Sequence, residues 1–217
     1  MALPEDKPIG RRLFLSLSAL GAGTLLFGHA FSGGGDDAGL FSDLIGQGGF
    51  QIYTVAPIPK FDPANWKLTI GGRVGNQIEL TYDQLLALPS TVQQTVFHCV
   101  TGWSVANLTW EGVSLKSIVD MVQPHADAQA LLFSSSDGAY TDSLTLDQAS
   151  VPDVLLAYNM NGKPLPLDQG MPVRLLVPEM YGYKSIKWLN NIEFALKPVP
   201  GYWEVRGYDV DAYINKR

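Results

Sequence analysis

Cys99 is the only cysteine in the chain, and it lies in the segment FHCVTGWS directly after His98. Because one cysteine cannot form an internal disulfide, its side chain is a small core hydrophobe, a nucleophile or a metal ligand. A cysteine nucleophile needs a base within hydrogen-bond reach. Adjacent side chains on a strand point to opposite faces, so His98 is badly placed to be that base. The other histidines are His29, within the N-terminal segment, and the distant His125.

Metal binding is the other chemistry open to a solitary cysteine. A zinc site needs three or four protein ligands, and one cysteine among scattered histidines lacks that spacing. A thiolate can instead bind a soft metal whose remaining ligands come from a cofactor, and one cysteine then suffices. The residue types alone leave the packing, nucleophile and cofactor-metal interpretations open.

The elements that would position Cys99 are predicted from hydrophobic periodicity and turn signals. A strand rich in Thr, Val and Phe covers 91–99, and Gly102 beyond it allows close backbone approach to a ligand. Thr81 with Gln84 predicts a capping box, and Asn161-Gly162 predicts a hairpin turn. Helices are predicted over 81–88 and 114–122, and the other strands over 66–72, 78–80, 130–136, 154–160, 173–177 and 188–196. The pattern is typical of one α+β domain that is rich in strands and has short helices.

The N-terminus predicts an export signal. Arg11-Arg12 directly precedes an apolar run that ends at Phe27, followed by a small residue at Ala30. This arrangement is typical of a twin-arginine signal peptide over residues 1–30, with an uncleaved membrane anchor as the alternative. Residues 31–49 are rich in Gly, Ser and Asp and are predicted to be a flexible tether. The remaining residues, 50–217, are predicted to form the functional domain, in the periplasm or another extracytoplasmic compartment.

Composition excludes some classes of function. The chain has 217 residues, of which 46% are hydrophobic and 17% charged. This composition is typical of an ordinary globular protein. Its net charge is −6 and no strongly basic stretch occurs, so we expect no nucleic-acid partner.

An ordered set of motifs, covering about 53–213, resembles the molybdopterin-binding domain of the sulfite oxidase family. In chain order the motifs are PIP (57–59), Trp66, DQLL (83–86), CVTGWS (99–104), WEGVSL (110–115), SDGAY (136–140), LAY (156–158), GMPVRLLVP (170–178), YGYKSIKWL (181–189) and GYWE (201–204). In its domain organisation the chain is similar to one branch of that family, the exported catalytic subunits of periplasmic methionine sulfoxide reductases.

The resemblance implies a molybdenum-molybdopterin cofactor. Cys99 is then the catalytic thiolate that binds molybdenum beside the dithiolene of one pterin, while the metal cycles between Mo(VI) and Mo(IV). Arg174 matches an arginine that contacts the cofactor, and Ser135 matches a hydroxyl residue near the pterin. Ser185-Ile186-Lys187 matches the segment that holds the phosphate end of the cofactor.

Two departures from the family pattern bear on the substrate. Tyr53 and Val55 stand where sulfite oxidases carry an arginine and a histidine, so sulfite oxidation is disfavoured. In the methionine sulfoxide reductase branch an asparagine contacts the pterin where this chain has Gln169. A Tyr-Glu pair of that branch aligns with Tyr53 and Thr54, which are therefore also candidate cofactor contacts.

Five aromatic residues have two interpretations. Each is either a core residue or part of the entrance to an active site. The five residues are Trp103, Trp110, Tyr140, Tyr181 and Trp203.

These observations predict an exported molybdopterin-dependent oxidoreductase that transfers an oxygen atom on a small-molecule substrate. The predicted reaction is reduction of an S-oxide or N-oxide, with electrons from a membrane haem protein or a soluble cytochrome. The chain is expected to be a monomer without a C-terminal dimerisation domain. The alternatives are a sulfite-oxidase-like dehydrogenase and a pterin-free exported binding module.

Overall fold

The structure, a computed structural model, describes residues 49–215. The predicted signal peptide over 1–30 lies outside the described residues, as does the predicted tether over 31–49 apart from its last residue. None of the helices within 49–215 combines the length and the apolar character needed to cross a membrane.

The described part of the chain is mostly strands joined by short helices. The strands are β1 (Lys67–Gly72), β2 (Ile78–Thr81), β3 (Thr91–His98), β4 (Ser104–Ser114), β5 (Ala130–Ser135), β6 (Thr141–Thr145), β7 (Leu155–Met160), β8 (Lys163–Pro164), β9 (Arg174–Leu176) and β10 (Leu189–Ala195). The helices are α1 (Tyr82–Leu86), α2 (Leu115–Val122) and α3 (Leu146–Ala149), with 3-10 turns at Leu167–Gln169, Gly182–Lys184 and Glu204–Arg206.

The strands form two sheets. The first has the order β2-β1-β10-β5-β6, in which β1 and β10 are parallel and the other neighbours antiparallel. The second has the order β3-β4-β7-β8, and β9 also pairs with β7. This mixture of two sheets with short helices confirms the predicted α+β class.

Two apolar clusters fill the interior. The larger joins the first sheet to α1 and α2 through residues such as Leu68, Ile118 and Phe194. The smaller contains Phe50 and Trp110, and Phe97 and Trp103 pack against it. The smaller cluster therefore lies under the turn that carries Cys99.

The local signals in the sequence correspond to the structure. Thr81 caps α1, and its side chain and that of Gln84 form the reciprocal bonds of a capping box. Asn161 and Gly162 have φ of 54° and 73°, the left-handed backbone that a two-residue hairpin turn requires. This turn joins β7 to the short strand β8. The predicted strands and helices are all present, with bounds shifted by a residue or two.

Two longer strands and one helix of the described chain were not predicted: β4, β6 and α3. β4 contains Asn107 and Gly112, two residues that are poor strand formers. Gly112 is required there because a Cβ atom would lie 2.7 Å from Ala157 Cα on β7. β6 has the polar sequence TDSLT, which hydrophobic periodicity does not detect.

Candidate active site

A cavity opens beside the β3–β4 turn, and distant segments of the chain line it. They are the start of the domain (50–55), the end of β3 and its turn (97, 99–101 and 103), Asp137 and Tyr140, Gln169 and Arg174, the segments 182–183 and 185–188, and Trp203 with Tyr208. These segments meet only because the two sheets pack together.

Cys99 lies in the turn between β3 and β4 and is half-buried. Its N–H donates to Trp103 O at 2.9 Å, and Gly102 N–H donates to Cys99 O at 3.1 Å. Gly102 has φ +103°, which disfavours any residue with a side chain. The turn is closed by these hydrogen bonds and therefore holds the sulfur in a defined position at the cavity.

The hydroxyl of Thr101 makes a polar contact with the Cys99 sulfur. Thr101 Oγ1 lies 3.1 Å from Cys99 Sγ, a hydrogen-bond distance for sulfur. When the cysteine is a thiolate, the hydroxyl is the donor and the sulfur accepts. Thr101 belongs to the recognised motif, but the sequence predicted no role for it.

His98 faces another surface. Its Nδ1 atom lies 2.7 Å from Ser104 Oγ, and its ring lines a separate groove with Gln94 and Asp153. His98 and His125 are both missing from the lining of the Cys99 cavity. The alternation of side chains along β3 thus has the effect predicted from the sequence, and neither described histidine is placed as a base for a nucleophilic Cys99.

Arg174 is a buried cation in β9. Its Nη1 donates to Gln169 O at 3.1 Å and its Nη2 to Ser185 O at 2.9 Å. The guanidinium lies 5.1 Å from the Phe97 ring centroid. It makes no ion pair with any described carboxylate, and burial lowers the pKa of Arg174 to about 10. A positive charge without a counter-ion at a cavity favours an anionic ligand.

Lys187 is a second cation on the cavity lining. Its Nζ donates to Tyr53 O at 3.0 Å and to Asp168 O at 2.9 Å, and lies 4.3 Å from the Trp188 ring. Burial, and next the positive charge of Arg174, lower the pKa of Lys187 to about 7. A bound phosphate would favour the charged form of this lysine.

Three buried nitrogen atoms at the cavity lack a hydrogen-bond partner within the described part of the chain. They are Trp103 Nε1, Gln169 Nε2 and Arg174 Nε, and all three residues line the cavity. A buried donor without a partner is costly, so such groups indicate where a ligand with acceptor atoms would bind.

Most of the predicted site residues lie at this cavity. The residues on its lining are Tyr53, Thr54, Cys99, Gln169, Arg174, Ser185, Ile186 and Lys187. Ser135 does not line it; Ser135 is buried at the end of β5, and its Oγ accepts from Asp137 N–H at 3.2 Å. Asp137, two residues further on, does line the cavity.

The aromatic candidates divide between the two interpretations. Trp103, Tyr140 and Trp203 line the cavity, whereas Trp110 is fully buried in the smaller core cluster and Tyr181 is not on the lining. Tyr183 and Tyr208 also line the cavity and were not predicted. Their positions in aromatic-rich motifs, YGY and RGY, were the available signal.

Within residues 49–215 no cluster of three or more His, Cys, Asp or Glu side chains could hold a metal ion. A metal bound at Cys99 would therefore take its other ligands from outside this set of side chains, as a cofactor-held metal does.

A family model described as the oxidoreductase molybdopterin binding domain matches residues 55–203. The uncharacterized oxidoreductase YuiH of Bacillus subtilis is 33% identical over 171 residues, covering 77% of this chain and 86% of that protein. The protein-methionine-sulfoxide reductase catalytic subunit MsrP of Campylobacter jejuni is 32% identical over 160 residues, covering 66% of this chain and 54% of that protein.

A third relative, from Azospira oryzae, is the putative protein-methionine-sulfoxide reductase subunit YedZ1, 33% identical over 153 residues, or 70% of this chain and 57% of the relative. The chain thus spans little more than half the length of the two reductase relatives. Among solved structures, the sulfane dehydrogenase SoxCD of Paracoccus pantotrophus matches with a TM-score of 0.61 and 22% identity, over 65% of this chain and 41% of that one. That likeness concerns the fold alone.

Proposed function

The chain belongs to the oxidoreductase molybdopterin-binding domain family, whose cofactor is molybdenum-molybdopterin, and from this premise we propose that it reduces an S-oxide or N-oxide. One observation carries the proposal. A solitary, half-buried cysteine lines a cavity together with two cations and three nitrogen donors that have no partner among the described residues.

The residues at the cavity fit this cofactor. We assign the Cys99 thiolate to molybdenum, because a soft metal prefers sulfur and one cysteine suffices when the pterin supplies the other ligands. We assign Arg174 and Lys187 to the anionic end of the cofactor, since both are cations with no carboxylate partner among the described residues.

Further assignments follow from the unpartnered donors and the backbone. Gln169 Nε2 and Arg174 Nε would donate to acceptor atoms of the cofactor. Tyr53 and Thr54, with Ser185 and Ile186, also line the cavity and would contact the cofactor. When bound, the cofactor supplies two-electron oxygen-atom chemistry, and the protein supplies position and electrostatics.

The charge of the cavity supports an uncharged substrate over sulfite. Arg174 and Lys187 are the two cationic residues on its lining within the described chain, and we assign both to the cofactor. Tyr53 and Val55, which replace the arginine and histidine of sulfite oxidases, also lie on the lining. A doubly charged oxyanion would therefore find no further cation among these residues, whereas a neutral organic oxide needs none.

The proposed reaction consumes two electrons and two protons for each substrate molecule. The sulfur–oxygen or nitrogen–oxygen bond breaks, the oxygen leaves as water, and the sulfide or amine is released. We propose a haem protein as the electron donor, bound to the membrane or soluble. The names of the MsrP and YedZ1 relatives, methionine-sulfoxide reductase subunits, support an S-oxide as substrate.

We further propose that residues 50–217 act outside the cytoplasm after export through the twin-arginine signal over 1–30. A protein that must fold around its cofactor before export suits this route. The paired arginines at positions 11 and 12 are the supporting observation.

The test is metal analysis together with a reductase screen. Protein produced where the cofactor is made should contain about one molybdenum per chain, and Cys99→Ala should contain little. With reduced viologen as electron donor, the loaded protein should reduce sulfoxides or N-oxides and should not oxidise sulfite. A well-folded protein without molybdenum would support a pterin-free binding module, and robust sulfite turnover would identify a sulfite-oxidase-like dehydrogenase.

A further inference from the structure

Three ionisable side chains form a fully buried cluster behind the cavity, and the proposed reaction does not use them. Lys184 Nζ lies 2.5 Å from Asp142 Oδ1 and also forms an ion pair with Glu204. It further donates to Ser143 O at 2.8 Å. The three side chains of this ionic triad are 2%, 3% and 1% exposed for Lys184, Asp142 and Glu204.

Each member of the ionic triad comes from a different segment that also lines the cavity. Asp142 lies on β6, two residues after Tyr140. Lys184 ends a 3-10 turn and follows Tyr183, and Glu204 begins another and follows Trp203. The triad therefore joins the three segments that carry these aromatic residues.

The aromatic residues contact one another across the segments. Tyr183 and Tyr208 have ring centroids 5.4 Å apart, and Trp203 and Tyr208 have centroids 5.2 Å apart. Tyr140 OH donates to Tyr183 O at 2.6 Å. We call Tyr140, Tyr183, Trp203 and Tyr208 the aromatic wall of the cavity.

The backbone of the segment that carries Trp203 packs directly against the backbone of β6. Tyr202 N–H donates to Thr141 O at 2.9 Å, and Glu204 Oε2 accepts from Gly201 N–H at 2.7 Å. A Cβ atom on Gly201 would lie 2.5 Å from Thr141 O and 2.7 Å from Asp142 Cα. Glu204 thus binds its own segment with one oxygen and Lys184 with the other.

A buried ionic triad is a poor way to gain stability, because desolvation of the charges offsets much of their attraction. Its geometry is nevertheless demanding, since each partner must be in place to avoid an unpaired buried charge. Such a cluster is suited to hold segments in one arrangement.

We propose that the ionic triad is a positioning device that holds the aromatic wall, against which the organic group of the substrate packs. Glu204, Lys184 and Asp142 are positioning residues, and the wall selects substrates by the shape and apolar area of that group. This inference rests on the proposed function for its substrate. Aromatic side chains pack favourably against apolar groups, so the wall suits the organic group of an uncharged oxide.

Glu204→Gln tests the proposal, because the glutamine amide has one acceptor oxygen for two donors, Lys184 and Gly201 N–H. In the molybdenum-loaded protein, we expect KM for an organic sulfoxide to rise on the order of tenfold with kcat nearly unchanged. Gly201→Ala displaces the same segment without changing a charge and should give the same effect. Asp127→Asn, which removes an exposed ion pair with Arg73, is the matched control and should leave KM unchanged.

A double-mutant cycle separates positioning from general destabilisation. Trp203→Phe should raise KM by itself, and Glu204→Gln should add little in the Trp203→Phe background, because both act through the same wall. Independent, multiplicative increases in KM, or equal losses of kcat and kcat/KM with bound molybdenum unchanged, would overturn the proposal.

Fluorescence gives a readout that needs no turnover. The contribution of Trp203 to acrylamide quenching is obtained by subtracting the signal of a protein carrying Trp203→Phe from that of the matched protein with Trp203. We expect this contribution to increase in Glu204→Gln. If no oxide is reduced but this increase occurs, the proposed function fails and the positioning role stands. Unchanged quenching of Trp203 in both Glu204→Gln and Gly201→Ala would refute the positioning role in any case.

Discussion

At the residue scale, the contacts of the Cys99 sulfur say more about its role than the fact that it is the only cysteine. The turn places Thr101 Oγ1 3.1 Å from Sγ, and His98 is turned to another groove. A hydroxyl that donates to a metal-bound thiolate withdraws electron density from it and favours the reduced metal. Thr101 is therefore the residue through which this chain would adjust the chemistry of a metal at Cys99.

Thr101→Val should lower the reduction potential of the bound molybdenum. Valine has the shape of threonine without its donor, so the variant loses a hydrogen bond worth about 0.5–1.5 kcal/mol. The potential reports only the difference in strength of this bond between the two oxidation states, so for a two-electron couple we expect a decrease of at most about 10–30 mV. The measurement is a potentiometric titration followed by absorbance, with Thr101→Ser as the control that keeps the hydroxyl. Equal potentials for the valine and serine variants would show that the contact does not reach the metal.

At the element scale, β6 illustrates how a strand can be stabilised by buried polar contacts. Its residues Asp142 and Ser143 are buried, and both contact Lys184. Burial raises the pKa of Asp142 to about 7, an increase that the ammonium of Lys184 opposes and the carboxylate of Glu204 reinforces. The carboxyl group thus takes up a proton more readily in the folded chain than in the unfolded one.

The pH dependence of stability should follow from Asp142. A raised pKa means that the folded state binds the proton more tightly, so this contribution is fully present below pH 3.8 and is lost as the pH rises through about 7. An asparagine side chain does not titrate, so Asp142→Asn should remove this slope. The measurement is the free energy of unfolding of both proteins by denaturant titration, from acidic to neutral pH. A difference between them that does not vary with pH would contradict the assignment.

At the scale of the whole molecule, the site exists only where distant parts of the chain meet. Lys187 Nζ donates to the carbonyl oxygen of Tyr53, 134 residues away in sequence. The ionic triad likewise connects Asp142 and Lys184, which are 42 residues apart. An assembly that depends on such long-range contacts must be complete before it can retain a cofactor, and this agrees with the proposed export of the folded protein.

Substitution of both Arg11 and Arg12 by lysine should retain the protein in the cytoplasm. A twin-arginine signal requires the arginine pair itself, so if residues 1–30 are such a signal, replacing both arginines by lysine should abolish transport although the charge is kept. The measurement is cell fractionation with immunoblotting. Lys7→Gln removes a nearby positive charge outside the pair and is the control that should still be exported. Efficient export of the double lysine variant would contradict a twin-arginine route.

Local features could be predicted from the sequence because short-range forces produce them. The capping box of Thr81 and Gln84 and the left-handed turn at Asn161-Gly162 depend on neighbouring residues alone. The family motifs indicated the molybdopterin class and candidate contacts such as Cys99 and Arg174, and all but Ser135 of those candidates line one cavity.

Only the tertiary structure decided which polar groups are buried and what they face. Lys184 belongs to the same motif as Lys187, yet one is paired with two buried carboxylates and the other donates to backbone carbonyl oxygens at the cavity. Sequence patterns report periodicity and local hydrogen bonding, whereas the free energy of a buried charge depends on partners brought from elsewhere in the chain. That is why the motif could be recognised from the sequence, while the ionic triad and its aromatic wall required the packed sheets.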